Sequence, residues 1–257
     1  MFSSESSFWG DRLKASGIHL GISLVVAALA ALLVFGIWYP YPYREISGGR
    51  ELFLLVITVD VILGPLITLA VFNREKPRSE LRRDLVIVAL LQLGALGYGL
   101  WTVYVARPVH MVFEIDRFRV VHAIDVPEEM LANAPAGIEA LPITGPTLLS
   151  LRPFKSNAES MEATVAALQG VNLGARPDFW QTYEAGKPDV LKVAKPTALL
   201  KTRFTHQSKD IDAVLAKVNR TAENTSYVPL AGRTSFWTVF LDPQTAEIVA
   251  YMPLDSF

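Results

Sequence analysis

The residue with the most chemical reach in this chain lies in a stretch of hydrocarbon. Asp60 falls inside Leu52–Phe72, an apolar run of about 20 residues interrupted only by this acid and by Gly64-Pro65. A carboxylate at such a depth costs about 2.5–3.5 kcal/mol on insertion scales, so it is protonated, paired or turned away from lipid. An intramembrane aspartyl protease would need a second carboxylate to share the proton. Asp60 is the only acid in the apolar stretches. Helix packing, recognition of another helix, and conduction of a proton or solute are left for it.

Helical spacing gives Asp60 its company. Asp60, Gly64 and Thr68 fall on one face, Gln92, Ala95, Gly99 and Thr102 fall on one face of a second stretch, and Gly17 and Gly21 form a GxxxG at the start of a third. Small residues let helices approach closely, and polar residues bond across the contact. In one reading these stripes hold a three-helix bundle, with Asp60 bonded to Gln92 or a threonine. In the other the stripe stays partly open for a helix of another protein. Pro65 favours the second by freeing a backbone carbonyl near Val61. A pathway would require self-association, because three spans alone enclose no pore.

Other chemistry is missing from the sequence. There is no GxxxxGK[ST] phosphate loop, no HExxH and no GxSxG. His19, His110, His122 and His206 have no cysteine partner, and each reads as a surface or half-buried polar residue. No catalytic residue, metal or cofactor is expected, and the protein reads as a non-enzyme. A net charge of −1 gives no reason to expect nucleic acid as a partner.

The elements that position these residues are three apolar spans and a water-soluble remainder. Ile18–Tyr39, Leu52–Phe72 and Leu85–Ala106 are each long enough to cross a bilayer. The mean hydropathy is only +0.31, because Arg107–Phe257 reads as an ordinary soluble domain. The organisation expected is a short N-terminus over 1–17, a membrane domain over 18–106 and an α+β domain over 107–257. The first span is too long for a signal peptide and ends in Trp38, Tyr39 and Tyr41, interfacial aromatics rather than a cleavage site. It reads as an uncleaved anchor.

Basic residues set the expected orientation. Arg12, Lys14, Arg74, Lys76, Arg78, Arg82 and Arg83 flank one side, and only Arg44 and Arg50 the other. The N-terminus is therefore expected in the cytoplasm and the C-terminal domain in the periplasm of a bacterial inner membrane. The chain has no cysteine, so that domain stands without disulfides.

Within the domain, alternation over Val109–Asp116 predicts a half-buried strand, continued by Phe118 and Val120. Leu131–Pro153 reads as a long loop. Ser156 and Glu159 fit a capping box ahead of a helix carrying Met161, Val165 and Leu168 on its apolar face, stopped by Gly170. A second amphipathic helix carries Ile211, Val214, Leu215 and Val218, and a third over Pro188–Lys201 is interrupted by Pro196. Ser235–Leu241 and Glu247–Met252 predict a hairpin whose first strand is covered on both faces. The fold class is thus three transmembrane helices followed by a small α+β domain with antiparallel strands.

The order of motifs resembles the type IV pilin accessory proteins. It is carried by YPYPYREISGGRELF (Tyr39–Phe53), VDVILGPLITL (Val59–Leu69), LRRDL (Leu81–Leu85), LLQLGALGYGLWTVYVARPV (Leu90–Val109) and FEIDRFRVV (Phe113–Val121). YVPLAGR (Tyr227–Arg233) and the following FWTVFLDPQTAEIV complete it. The resemblance implies a non-enzymatic accessory of type IV pilus biogenesis, an inner-membrane chaperone or scaffold for the major pilin. The spans would hold the pilin's membrane helix and the soluble domain its head, with the bilayer and other assembly proteins as further partners. A subunit of a pilin-modifying glycosyl or acyl transferase, and a self-associating sensor or channel, are the alternatives.

The candidate partner-binding residues are Asp60, Gly64, Pro65, Thr68, Gln92, Gly99, Arg107, Glu114, Asp116 and Arg117. Arg107, Glu114, Asp116, Arg117 and Arg119 also read as an exposed ion-pair cluster orienting the domain at the membrane surface. Tyr39-Pro-Tyr-Pro-Tyr also reads as a stiff aromatic belt.

Overall fold

A computed structural model describes residues 3–257, with side chains from residue 9 onward. The chain forms two compact units, one of the residues up to Ile37 with Gly49–Val105, the other of Trp38–Gly48 with Ala106–Phe257. The first contains three helices long and apolar enough to cross a membrane: α1 (Trp9–Trp38), α2 (Gly49–Val71) and α3 (Arg78–Val105). They outrun the apolar stretches because Arg, Glu and Leu at their ends are good helix formers. Leu24, Leu29, Leu55, Leu90 and Leu91 point outward, as side chains that meet lipid must. α2 widens into a π-helical turn at Val59–Leu63, just ahead of Pro65, whose missing N–H breaks the regular ladder.

The second unit is built on one eight-stranded sheet. Its strands are β1 (Pro108–Glu114), β2 (Arg117–His122), β3 (Thr147–Leu151), β4 (Trp180–Thr182), β5 (Lys195–Pro196), β6 (Ser226–Ala231), β7 (Phe236–Leu241) and β8 (Ile248–Met252). The order is β4-β3-β1-β2-β6-β7-β8, with β5 also on β6. Pairing is mostly antiparallel, as expected, but β1–β3 and β2–β6 run parallel. Helices α4 (Asn157–Leu168), α5 (Tyr183–Val193), α6 (Thr197–Arg203) and α7 (Ser208–Ala216) come from the middle of this part of the chain.

Both faces of the sheet are covered. Met111, Phe113, Phe118, Val228, Leu230, Val239 and Leu241 share one core. Val109, Val112, Val121, Leu149 and Trp180 pack on the other side of β1, and Phe240 packs with Leu200, Ile211 and Leu215 of α6 and α7. β1 is consequently buried along its whole length rather than half-buried, because it is flanked by β2 and β3 and covered above and below. β7 is covered on both faces as its composition predicts, and Thr238 turns its hydroxyl to the Leu254 carbonyl at 2.7 Å.

Several local expectations are corrected. The long loop contains β3, a five-residue strand that Pro- and Gly-rich flanks conceal. Ser156 does cap α4, accepting from the Glu159 N–H at 3.2 Å, yet Met161, Val165 and Leu168 face outward. α4 packs through Ala163 instead. His110 and His122 are fully buried rather than superficial. The ion-pair group does not form one exposed cluster. Glu114 is buried between Arg119 Nε at 2.5 Å and the Gly174 N–H at 2.9 Å. Arg107 is buried and donates to the Leu141 and Pro142 carbonyls. Only Asp116 and Arg117 form an exposed pair, at 2.7 Å.

Trp38–Gly48, the connection between the first two spans, belongs to the core of the second unit. Tyr39, Tyr43 and Ile46 are buried, Tyr43 and Ile46 within the main sheet core. The Tyr43 hydroxyl meets Met111 Sδ at 3.7 Å, and Thr234 Oγ1 donates to the Ile46 carbonyl at 3.4 Å. Tyr39 and Tyr43 are therefore core residues rather than parts of an aromatic belt, and Tyr41 alone of the three is exposed. Truncating a buried aliphatic side chain costs about 2–5 kcal/mol. Ile46→Ala should accelerate amide exchange in β6 and β7 of the full chain, although its sequence neighbours are membrane spans.

His110 gives a pH prediction. Its Nε2 lies 3.0 Å from the Ala140 carbonyl and its Nδ1 2.6 Å from Thr147 Oγ1, so the neutral tautomer donating from Nε2 satisfies both nitrogens. Burial, partly opposed by that carbonyl, lowers its pKa to about 4. The unfolded chain takes up this proton near the ordinary value of about 6.5, so it binds more protons than the fold between there and about 4. The contribution is complete above the upper limit and declines below it by at most about 1.4 kcal/mol per pH unit. The protection factors of the β1 and β3 amides, taken against their intrinsic exchange rates, should fall as pH is lowered through this window in the wild type and lose that dependence in His110→Gln.

Candidate membrane-embedded binding site

Asp60 sits in the π-helical turn of α2, where the side chain is carried to the inside of the helix bundle. It is only 7% exposed, and among the described residues its Oδ1 has no hydrogen-bond partner. Gln92 of α3 is its neighbour, as its spacing predicts, but the amide Nε2 donates to the Asp60 backbone carbonyl at 3.3 Å and not to the carboxylate. Thr68, one face with Asp60, is bonded to His19 Nδ1 at 2.5 Å. Ser16 Oγ donates to the Pro65 carbonyl at 2.9 Å. Among the described residues these contacts pair Thr68 with His19, Ser16 with the Pro65 carbonyl and the Gln92 amide with the Asp60 carbonyl, and they leave Asp60 Oδ1 without a partner.

That carboxylate borders a cavity of about 200 Å³ lined by His19, Ser23, Ile57, Asp60, Gln92 and Leu93. One water needs only about 10–15 Å³ of such space, so a side chain fits. A second hollow of about 390 Å³ shares His19 and Gln92. Thr68 also lines it, and the rest of its walls are apolar, among them Ile18, Phe72, Leu85 and Val88. A carboxylate and an imidazole in such surroundings accept a hydrogen bond far more tightly than in water, since no solvent competes.

The glycines divide into two groups. A Cβ on Gly64 would overlap the Gln92 amide, and one on Gly99 would overlap Val56, so both are consumed by contacts within the bundle. A Cβ on Gly17, Gly21, Gly94 or Gly97 would meet nothing. The candidate set therefore separates: Gly64, Pro65, Thr68 and Gly99 are buried inside, Asp60 and Gln92 line the cavity, and the GxxxG of α1 is open. In the second unit Arg107 and Glu114 are engaged internally, whereas beside Ile115 Asp116 is exposed and Arg117 is half-buried over the Phe257 ring. Ile115 is 72% exposed at φ 57, a left-handed conformation that a β-branched residue adopts at a cost.

His19, Ser16 and Ser23 are site residues that the sequence reading passed over. Their signal was present: spacings of three and four place them on one face of an otherwise apolar helix. Among the described residues no group of three or more His, Cys, Asp or Glu side chains could hold a metal ion.

Forcing a methyl group into a filled contact costs about 1–3 kcal/mol. In detergent-solubilised full chain, Gly64→Ala and Gly99→Ala should each lower the thermal midpoint, and Gly21→Ala should not.

Comparison with known proteins agrees with the motif order. A family model described as fimbrial assembly protein FimB matches residues 7–48. The chain is 36% identical over 246 residues to the serogroup I fimbrial assembly protein of Dichelobacter nodosus, covering 95% of each chain. It is 35% identical to the serogroup E1 protein of that organism over the same coverage, and 43% identical over 121 residues to that of serogroups C1 and C2, 47% of this chain and 92% of the relative. No solved structure matches.

Proposed function

We infer the role from one premise: the chain belongs to the family of fimbrial assembly proteins, with relatives matched over 95% of both lengths. From it we propose an accessory of type IV pilus biogenesis that works by binding, as an inner-membrane chaperone or scaffold with its N-terminus in the cytoplasm. Its client is the major pilin, whose membrane helix docks on the bundle and whose head meets the periplasmic domain. The observation that carries this reading is Asp60 Oδ1, a buried acceptor without a donor beside a cavity large enough for a side chain. In hydrocarbon such a group stays costly until a donor arrives, and a client helix would bring one. The open Gly17 and Gly21 face lets a helix backbone approach. Exposed Ile115 and the outward stripe of Met161, Val165 and Leu168 are apolar surface for a head domain.

Interhelical hydrogen bonds in membranes contribute about 0.6–2 kcal/mol, which sets the size of the test. A photo-crosslinker at Leu93, on the cavity wall and exposed, should capture pilin in native membranes. Asp60→Ala should reduce the yield about three- to thirtyfold. Absence of capture from Leu93, with pilin level and pilus number unchanged on deletion, would rule the scaffold out. An intact pilin mass that changes on deletion would point to a modifying enzyme instead.

A further inference from the structure

A second site lies in the other unit, independent of the membrane cavity. Arg119, His122, Asp125, Asn172, Gly232 and Arg233 surround a pocket of about 240 Å³. His122 is 1% exposed, and among the described residues its Nε2 has no hydrogen-bond partner. Its Nδ1 is 3.0 Å from Asp125 Oδ2, which also accepts the His122 backbone N–H at 3.1 Å. The imidazole is thereby fixed in orientation by one nitrogen and left unused at the other.

Around it the donors outnumber the acceptors. Arg119 spends only Nε on Glu114, which leaves the two terminal guanidinium nitrogens. Arg233 is 4.0 Å from Asp125 Oδ1, too long for a hydrogen bond, and half exposed. The side chain of Asn172 is exposed on the rim. Asp125 is the opposing charge, and its two oxygens are already turned to His122 and Arg233. Burial would raise the Asp125 pKa, but the His122 bonds, aided by Arg233, hold it below the ordinary carboxylate range, so it is a fixed anion at neutral pH. With Nδ1 turned to Asp125, Nε2 is the ring atom left to meet a ligand in the pocket.

The place of the pocket in the chain indicates which anion reaches it. His122 pairs with Pro108 in the β1–β2 register, and the Ala123 N–H donates to the Arg107 carbonyl at 2.9 Å. Arg107 is the second residue after α3. Thr234, next to Arg233, bonds to the Ile46 carbonyl, and Ile46 lies three residues before α2. Both walls are thus tied to backbone within two or three residues of a span, about 7–10 Å of extended chain. The polar layer of a bilayer extends about 5–8 Å beyond each side of its hydrocarbon core. We propose that this pocket binds a phosphate group, donated to by Arg119, Arg233 and His122, and that a phospholipid headgroup supplies it.

The test uses the full chain in nanodiscs of phosphatidylcholine containing phosphatidylglycerol. Mass spectrometry of lipid retained on the chain should show enrichment of phosphatidylglycerol. A basic side chain near a lipid surface contributes about a fivefold preference for anionic lipid, and Arg233→Gln should remove about that much. Arg233 is a surface residue, so this variant leaves the core intact; Lys209→Gln, an exposed cation of α7 outside the pocket, should leave the enrichment unchanged. In phosphatidylcholine alone, broadening of the phosphorus resonance of inorganic phosphate by wild type but not Arg233→Gln would keep the phosphate site and assign it to free phosphate. Enrichment that is equal in wild type and Arg233→Gln, with no phosphate broadening, would overturn the proposal.

Discussion

A carboxylate placed among hydrocarbon helices needs a donor, and among the described residues the contacts around Asp60 leave its Oδ1 without one. That imbalance organises the membrane unit. Pro65 withdraws an N–H from the α2 ladder, the helix widens into a π turn, and the turn carries Asp60 inward. Gly64 then admits the Gln92 amide to the backbone carbonyl beside it, and His19 and Ser16 use up the hydroxyl of Thr68 and the carbonyl of Pro65. Each of these contacts reduces the cost of polarity in lipid. None reaches Asp60 Oδ1. A leucine at this position would serve cohesion alone, and the proposed client helix is what would use the acid.

The soluble unit obeys a different constraint. It has no cysteine with which to form a disulfide and builds its stability from a sheet covered on both faces. Part of that covering comes from far away in sequence: Tyr43 and Ile46 precede the second span yet complete the core with Met111, Leu230 and Val239. The two parts of this core are separated in sequence by the second and third long helices, and their meeting gives the tyrosine- and proline-rich connection a structural reason for its composition.

Much of this was legible in the sequence where one periodicity or one motif decides the matter. The three spans, the β7–β8 hairpin, the Ser156 cap and the neighbourhood of Asp60 and Gln92 follow from apolar length, alternation and helical spacing. The failures share a cause, which is that burial depends on partners distant in sequence. His110 and Glu114 alternate like solvent-facing residues of an edge strand, but β3 and the loop at Gly174 cover them. Met161, Val165 and Leu168 have the spacing of a core stripe, yet α4 packs through Ala163. Thr147–Leu151 lacks alternation and is framed by turn residues, so its strand appears only through its pairing with β1. His19 was the avoidable omission, since its spacing to Ser16 and Ser23 lies open in the sequence.

The central claim is that a client helix supplies the donor Asp60 lacks, and the carboxyl group itself reports on this most directly. With Asp60 labelled at its side-chain carbon, the carboxyl resonance of the full chain in nanodiscs should shift when the pilin's membrane helix is added, and a Gly94 label on the open face of α3 should serve as reference. A shift at Asp60 accompanying complex formation is the predicted result. A complex that forms while the Asp60 carboxyl resonance stays where it was would contradict the account, because the helix would then be held without using the acid.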